Sequence, residues 1–522
     1  MDETEKWPRR RFLGTAAAVG AASVTAGCTG KTEEHRPARA PHRPAHPVVA
    51  ENELPGEPHW GLVRRGNARA IEGYADRVSV LPGEPFRLYV STTGRAFRAE
   101  VFRMGWYGGA QARRVWASKV LPGRKQRKPK AKGKTRTVSA ADWRPSLEVA
   151  TEGWPEGSYL IRLSADTGAQ RFVPITVRSR QTAGRIVLVN AVTTWQAYNA
   201  WGGYSLYRGP GGKGDYGRRS LAVSFDRPYD QDGARLFLVF EQPAIALAES
   251  LGLPLAYVTS TDLDRDPKLL AGARAVISLG HDEYWSPAMR EHVTAARDAG
   301  VNLAFLGANA CFRRIRLEPT AHGERRLVVC YKTDWAKDPM RGKDDAAVTA
   351  DWRAAPMARP ENSLTGTLYE SNGTSAEYVV TEPGHWLFAG TGVTRASRFP
   401  NLVGTEYDRV TGDPNTPHPI EVIAHSPLIC HGVRSYSDSA YYTTPSGAGV
   451  FSTGTMRWVE SMKGDGAHGI PPSTARFTRK VTANMLRVFA QGPAGRRYPA
   501  KDRYPERVIY PGDPIYNKHD LW

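Results

Sequence analysis

Apolar and polar residues alternate in short runs between residues 60 and 178. Phe86-Arg87-Leu88-Tyr89-Val90 is typical, and turn residues such as Pro82-Gly83 separate one run from the next. A period of two places successive side chains on opposite faces, so each run predicts a half-buried β-strand. Short strands at this spacing favour an all-β immunoglobulin-like sandwich, which we assign to residues 59–179.

From residue 184 the pattern changes to continuous apolar runs separated by helical patterns. The predicted strands are 186–189, 255–259, 275–279, 301–306, 421–424 and 449–453, and the predicted helices are 237–252, 267–270, 286–300 and 475–490. Strands that are apolar on both faces and alternate with helices predict a doubly wound parallel sheet. We therefore assign residues 180–495 to an α/β domain with insertions around 312–420, and residues 496–522 to a C-terminal tail.

The first residues carry an export pattern. Arg9-Arg10-Arg11 precedes Phe12-Leu13-Gly14 and an Ala- and Gly-rich stretch, which is the twin-arginine signature of bacterial export. Thr25-Ala26-Gly27-Cys28 is similar to a lipoprotein cleavage box, which predicts a signal over residues 1–28 and lipidation of Cys28. Residues 29–58 are Pro-rich and predict an extended linker. We expect an extracytoplasmic protein whose lipid anchor holds it to the outer face of the cytoplasmic membrane.

Composition excludes several classes of protein. The chain has 41% hydrophobic and 24% charged residues, which is enough apolar material to exclude a wholly disordered chain. No apolar run of about 18 residues occurs beyond residue 30, which excludes a polytopic membrane protein. With only 4 Cys, and one of them expected to be lipidated, Cys311, Cys330 and Cys430 allow at most one disulfide.

The net charge is +19, and part of it lies in a basic loop over residues 124–136. Its eight cations are interrupted by Pro129 and Gly133, which predicts a mobile loop without a core of its own. Such a loop could attract anionic envelope polymers or lipid head groups, or it could simply be solvated, and the sequence leaves both possibilities open. Nucleic acid is not an expected partner of an exported protein.

Four loops follow the predicted strands at their carboxyl ends. In an open α/β sheet these loops form the usual ligand-binding crevice. Their polar and aromatic side chains supply the predicted substrate-binding residues Asn190, Tyr198, Asn199, Trp201, Asp262 and Asn309.

The loop after the third strand of the α/β domain, residues 280–286, is the richest in chemistry. His281, Asp282, Glu283 and Tyr284 place an imidazole, two carboxylates and a phenol before a helix. Such a set could bind a metal or supply a general acid and base. Alternatively, the two acids could favour the helix dipole while the aromatic residues pack. We predict catalytic roles for His281, Asp282 and Glu283.

The phrases Tyr257–Leu263 and Gly280–Ser286, together with Phe240-Glu241, carry a resemblance to a known family. The stretch from about 184 to 490 resembles the C-terminal region of the N,N-dimethylformamidase large (beta) subunit. Its relatives include exported bacterial proteins of unknown activity. The resemblance implies a class I glutamine amidotransferase-like fold and hydrolysis of a small tertiary formamide at one iron, bound by two Tyr and one Glu. Tyr284 matches the family's His-x-Glu-Tyr phrase, and Glu361 is the nearest candidate carboxylate.

These observations favour a hydrolase that acts on an amide or related C–N bond of a small-molecule or cell-envelope substrate. The alternative is a non-catalytic envelope protein that binds a glycan or an anionic polymer through its aromatic and basic loops. The sequence leaves open the substrate, the oligomeric state and whether an accessory subunit is bound.

Overall fold

A short helix and a set of β-strands precede the parallel sheet. The structure is a computed structural model that describes residues 47–395 and 397–503, and these residues lie in one compact unit. The predicted signal, Cys28, most of the predicted linker and most of the predicted tail lie outside the described residues. Helix α1 spans Pro47–Asn52, and the strands are β1 Ile71–Ala75, β2 Ser79–Val80, β3 Phe86–Thr92, β4 Ala96–Met104, β5 Ala112–Ala117, β6 Leu121–Pro122, β7 Leu147–Val149, β8 Gly157–Ala165 and β9 Gln170–Val177.

These strands form two sheets around a shared core. One sheet has the order β1-β3-β7 and the other β2-β9-β8-β4-β5, with β6 paired to β4. Leu88 and Val90 of the first sheet pack in the same cluster as Val101, Ile161 and Val173 of the second. The alternating runs therefore form strands as predicted, because each run buries one face against the opposite sheet.

A second group of elements forms the α/β region. Its helices are α2 Val192–Tyr198, α3 Arg235–Phe240, α4 Gln242–Ser250, α5 Ser260–Arg265, α6 Pro287–Asp298, α7 Asn362–Thr365, α8 Arg457–Ser461 and α9 Thr474–Phe489. Its strands are β10 Ile186–Asn190, β11 Ala222–Ser224, β12 Leu255–Thr259, β13 Ala275–Ser278, β14 Tyr284–Trp285, β15 Asn302–Phe305, β16 Arg313–Arg314, β17 Arg316–Thr320, β18 Gly323–Val329, β19 Leu368–Val379, β20 Arg398–Arg409, β21 Ile420–Cys430, β22 Val433–Thr443 and β23 Gly449–Ser452.

The central sheet has the order β12-β10-β13-β15-β23-β22-β21. The first five strands run parallel, and β22 runs antiparallel to both of its neighbours. Alternate residues of β10 enter two different cores, Leu188 on the face of α4 and α9, and Val189 on the face of α5 and α6. The fold is thus an α/β arrangement with helices on both faces, and the sheet is mixed where a wholly parallel one was predicted.

Local signals account for some boundaries, and three predictions of local structure are wrong. Ser286 caps α6 through Met289 N–H, and Pro287 occupies the first turn, as the sequence indicated. The predicted helix over 237–252 is interrupted at Glu241, and residues 267–270 form a turn. The loop predicted to contain Asp262 is instead helix α5, because Thr259 and Asp262 form a capping box.

Other predictions can be compared with the described residues. Cys311, Cys330 and Cys430 are buried free thiols. Within the described ranges, no helix combines the length and the apolar character needed to cross a bilayer. The basic loop over 124–136 is tied to its neighbours, since Trp143 Nε1 donates to Arg127 O at 2.8 Å and Leu221 N donates to Thr135 O at 2.9 Å.

Candidate active site

Two phenols and one carboxylate meet at the carboxyl end of the central sheet. Tyr198 ends α2, Tyr207 lies in the loop that follows, and Glu283 lies in the loop after β13. The Tyr198 hydroxyl donates to Glu283 Oε2 at 2.7 Å. The Tyr207 hydroxyl lies 2.6 Å from Oε1 and 2.7 Å from Oε2 of the same carboxylate. Three oxygen-bearing side chains from three separate segments therefore converge on one point.

The backbone around Glu283 is anchored on both sides. Glu283 N and Tyr284 N both donate to Thr194 Oγ1, at 3.0 and 3.2 Å. Arg313 N donates to Glu283 O at 2.8 Å, which joins the loop to β16. Gly280 has φ +132°, and a Cβ there would lie 2.4 Å from Phe240 O, so only glycine fits this turn. The loop is thus held in one conformation by its neighbours.

Nearby cations govern the charge of the buried carboxylate. Arg313 Nε donates to Glu283 Oε1 at 3.1 Å, and its guanidinium also pairs with Asp351. Burial would raise the pKa of Glu283, but Arg313, His281 and Lys332 outweigh this and hold that pKa below its usual value. Burial and the Glu283 charge raise the pKa of the Tyr198 and Tyr207 phenols well above 10, so both hydroxyls keep their protons.

His281 lies between two carboxyl groups. Its Nε2 is 3.7 Å from Glu283 Oε2, and its Nδ1 is 3.8 Å from Glu406 Oε2. Within the described residues, neither ring nitrogen has a hydrogen-bond partner, and neither does Glu406 Oε2. Burial lowers the pKa of His281, whereas burial and the Glu283 charge raise that of Glu406. The centre therefore holds buried polar atoms whose hydrogen-bonding capacity is free for a ligand.

Two further polar side chains contribute unpartnered atoms. Lys332 is 1% exposed, and its Nζ lies 3.1 Å from the centroid of the Tyr207 ring. Burial and the neighbouring Arg313 charge lower its pKa well below 10.5. Asn309 has φ +59°, and its N–H donates to Asp408 Oδ1 at 2.7 Å. Across the described chain, neither Lys332 Nζ nor Asn309 Oδ1 has a hydrogen-bond partner.

The predicted catalytic and metal-binding residues are only partly brought together. Tyr284 is fully buried, with its ring centroid 6.4 Å from those of Tyr198 and Tyr207, and its hydroxyl has no hydrogen-bond partner among the described residues. Asp282 accepts from Ser278 Oγ at 3.1 Å, and burial raises its pKa to about 7. Glu361 belongs to a separate buried ion pair with Arg353.

Three predicted substrate-binding residues are engaged by the protein itself. Asn190 accepts from Ser158 Oγ at 2.8 Å and donates to Glu241 Oε2 at 2.6 Å. Asn199 donates to Gln196 Oε1 at 2.7 Å, and Asp262 accepts from Ser79 Oγ at 2.8 Å. These contacts fix the loops and join them to the β-sheets. Of the six predicted substrate-binding residues, Tyr198 is the one with a contact to Glu283.

Two adjoining cavities lead toward Tyr198. A cavity of about 160 Å³ is lined by Tyr198, Trp195 and Phe237. A larger cavity of about 690 Å³ is lined by Trp201 and shares Tyr229, Asp230 and Gln231 with the smaller one. Tyr198 is half-buried, and its ring lines the smaller cavity while its hydroxyl contacts the Glu283 carboxylate.

Sequence reasoning missed four residues of the centre: Tyr207, Arg313, Lys332 and Glu406. Tyr207 stands in the aromatic loop after α2, where its proximity to Tyr198 was the available signal. Arg313, Lys332 and Glu406 come from the region 312–420, which was assigned to insertions. They reach the centre through strand pairings such as Tyr284 with Arg313, and no local sequence pattern predicts these pairings.

Comparisons with known proteins give one strong similarity and two weak ones. No curated protein matches the chain. Among solved structures, a Paenibacillus sp. cycloisomaltooligosaccharide glucanotransferase complexed with cycloisomaltoheptaose is 13% identical, with a TM-score of 0.14 over 24% of this chain and 17% of that one. Cwp6 from Clostridium difficile is 10% identical, with a TM-score of 0.13 over 46% of this chain and 37% of that one. The chain thus spans well under half the length of either protein, and neither similarity bears on its fold or function.

The strong similarity is to a family model that covers residues 98–471. It begins within β4 and ends before α9, so it includes most of the second β-sheet and most of the α/β region, and it crosses the domain boundary predicted near residue 180. The matched range contains Tyr198, Tyr207, His281 and Glu283. On this match, the chain belongs to the N,N-dimethylformamidase beta subunit-like family, C-terminal region.

Proposed function

We propose that this protein is a metal-dependent hydrolase of an amide or related C–N bond, with its reaction centre at Glu283. The observation that carries the proposal is the convergence of the Tyr198 and Tyr207 hydroxyls on the Glu283 carboxylate, at 2.6 to 2.7 Å. Two phenols and the Arg313 guanidinium thus surround one buried carboxylate, which brings three side chains from separate segments to a single anionic group.

The donor set fits the iron that the family resemblance implies. That resemblance requires two Tyr and one Glu, and Tyr198, Tyr207 and Glu283 provide three hard oxygen ligands. Among the described residues, no group of three or more His, Cys, Asp and Glu side chains could hold a metal, so the tyrosines are essential to such a site. Iron held there would supply Lewis acidity that polarises a substrate carbonyl. The competing assignment of the metal ligands uses Glu361 and Tyr284, whose hydroxyl has no hydrogen-bond partner among the described residues.

The remaining residues of the centre act on protons and charge. His281 presents unpartnered nitrogens beside Glu283 and Glu406, so it is placed to accept a proton from water and deliver it to the departing amine. Lys332 and Asn309 carry further buried atoms without a hydrogen-bond partner among the described residues, and these groups would orient the amide. Arg313 keeps Glu283 ionised and fixed in orientation.

We further propose that the α/β region has a class I glutamine amidotransferase-like fold and that the β-sheets before it form an immunoglobulin-like sandwich. The run of five parallel strands with helices on both faces supports the first assignment. Two sheets of mainly antiparallel strands around one core support the second.

Export and lipidation at Cys28 belong to the same proposal. They rest on the twin-arginine and cleavage-box patterns of residues 1–28. A cell-envelope location would give the hydrolase an envelope or external small-molecule substrate.

Metal content and turnover test the proposed function together. We would purify the full chain from iron-replete cells, measure bound iron by elemental analysis, and follow amine release from N,N-dimethylformamide and other simple amides. Y198F, Y207F and E283Q are expected to lose iron and turnover. Y204F, in the same loop, is the matched control and should retain both.

Y284F and E361Q separate the two ligand assignments. If these variants lose iron while Y198F and Y207F keep it, the Tyr198–Tyr207–Glu283 assignment is wrong. If the wild-type protein carries no metal and releases no amine from any amide tested, the non-catalytic glycan- or polymer-binding alternative is favoured.

A further inference from the structure

The larger cavity, about 690 Å³, lies beside the candidate active site and exceeds what a small formamide would fill. A drug-sized ligand typically occupies a pocket of about 300 to 1,000 Å³. Its lining comes from both halves of the protein: Arg69 and Arg171 from the β-sheets, and Trp201 and Asp230 from the loops of the α/β region. The size and position of this cavity point to a substrate much longer than its reacting amide.

Cations predominate in the lining of this cavity. It includes four cationic side chains, Arg65, Arg69, Lys128 and Arg171, against two acids. The acids already have protein partners, since Glu72 accepts from Trp201 Nε1 at 2.7 Å and Asp230 accepts from Ala200 N at 3.1 Å.

The exposed cations of the cavity lack such partners. Within the described part of the chain, the side chains of Arg65 and Lys128 form no ion pair or hydrogen bond. Arg171 is 8% exposed, and burial lowers its pKa although the charges of Glu72 and Asp232 oppose this. Arg69 already pairs with Glu72 at 3.5 Å, so the exposed Arg65 and Lys128 are the cations of this lining that remain for an anionic ligand.

The uncharged part of the lining suits a sugar ring. Trp201 is half-buried, its indole N–H donates to Glu72, and its ring packs against Trp143 while it also lines the cavity, where it offers an aromatic surface to a sugar ring. Donors such as Arg65 and acceptors such as Asp230 and Gln231 lie around it. A polyhydroxylated ring, which carries both donors and acceptors, can use both kinds of group.

We propose that this cavity binds the acidic sugar ring of an N-acyl saccharide, whose acyl amide reaches the Tyr198–Glu283 centre through the smaller cavity. Tyr229, Asp230 and Gln231 line both cavities, and Tyr198, whose hydroxyl donates to Glu283, lines the smaller one, so the acyl arm would extend from the sugar site toward Tyr198. The part of the inference that concerns the reacting amide rests on the proposed function, whereas the anionic sugar site stands on the cavity itself.

Direct binding tests the inference with a matched pair of probes. N-Acetylmuramic acid and N-acetylglucosamine share the ring and the acetamide, and the first also carries a carboxylate. Titration calorimetry on the full chain at low salt should give at least about tenfold tighter binding of the acid, which corresponds to about 1.4 kcal/mol. The preference should weaken as salt is added.

Charge-reversal variants locate the effect. R65E/K128E should abolish the preference, while R64E/K125E, which changes the same net charge at exposed neighbouring positions outside the lining, should retain it. Equal affinity for both sugars, no binding of either, or a preference that survives R65E/K128E would overturn the inference. Sugar binding is measured without turnover. A protein that lacks iron or amide hydrolysis would therefore contradict the proposed function and leave the inferred sugar site untouched.

Discussion

Arg313 Nε donates to Glu283 Oε1 at 3.1 Å, on the same carboxylate that receives the two tyrosine hydroxyls. The other end of the guanidinium pairs with Asp351. Arg313 therefore fixes the rotation of the carboxylate as well as its charge. A side chain that orients a ligand in this way is commonly worth 10- to 100-fold in metal affinity or activity, as an order of magnitude.

R313K tests this orientation. Lysine keeps the positive charge but cannot bridge two carboxylates with a planar fork, so we expect turnover and iron affinity to fall by roughly 10- to 100-fold. Kinetics and iron titration measure both effects. D351N leaves the Arg313–Glu283 contact in place and should cost much less. Full activity of R313K would mean that charge alone is sufficient.

Much of the fold follows from local patterns in the sequence. Alternating runs predicted β3, β4, β8 and β9, and continuous apolar runs predicted β10, β12, β13 and β15, because burial on one face or on two leaves a readable period. β22 was missed, and its antiparallel direction follows from its hairpin with β21.

The site was only partly predictable for a related reason. His281 and Glu283 stood out because they cluster in one loop after a strand. Tyr207 and Lys332 join them through folding of distant segments, and the resemblance had placed the metal ligands at Tyr284 and Glu361. Which tyrosine reaches a carboxylate depends on loop paths, and residue spacing does not encode those paths.

K332M tests why a buried lysine is kept. Lys332 Nζ has no hydrogen-bond partner among the described residues, and leaving such a group buried costs about 1 to 3 kcal/mol. We therefore expect K332M to raise the free energy of unfolding and to abolish turnover. Denaturant unfolding and kinetics on the same samples check this. Lys337 is largely exposed, and K337M should change stability by less than about 0.5 kcal/mol. A destabilised but active K332M would contradict a catalytic role.

Asn309 tests backbone strain and side-chain chemistry separately. Its φ of +59° is tolerated by Asn and favoured by Gly, whereas Ala there costs about 1 kcal/mol. N309G should therefore be more stable than N309A, while both lose the amide group and should show equally low turnover. Thermal unfolding and kinetics provide the two readouts. If N309G kept normal turnover, the side chain would have no part in the reaction.

Glu241 makes stability depend on pH. Burial raises its pKa to about 8, despite hydrogen bonds from Asn190 and Trp195. A folded-state pKa above the unfolded value of 4.5 means that the folded protein binds the proton more tightly, so stability is lost as pH rises from about 4.5 to 8. E241Q mimics the neutral form throughout. Over this pH range, the difference in unfolding free energy between E241Q and the wild type should therefore increase in favour of E241Q, by up to about 1.4 kcal/mol per pH unit. Parallel pH curves for the two proteins would rule this out.

The buried pair Arg103–Glu249 joins strand β4 to helix α4 and so ties the first β-strands to the α/β region. Arg103 Nη2 donates to Glu249 Oε1 at 2.6 Å, both side chains are fully buried, and Tyr257 also donates to Glu249. Removing one partner leaves an uncompensated charge, so R103M and E249M should each cost about 3 to 5 kcal/mol.

The double variant R103M/E249M should recover most of that loss, because no buried charge remains and the methionines fill similar volume. Denaturant unfolding of the four proteins gives the coupling energy directly. Additive losses in the double variant would mean that the pair does not act as a unit. If unfolding of the double variant split into two transitions, the pair would be what makes the two regions unfold together.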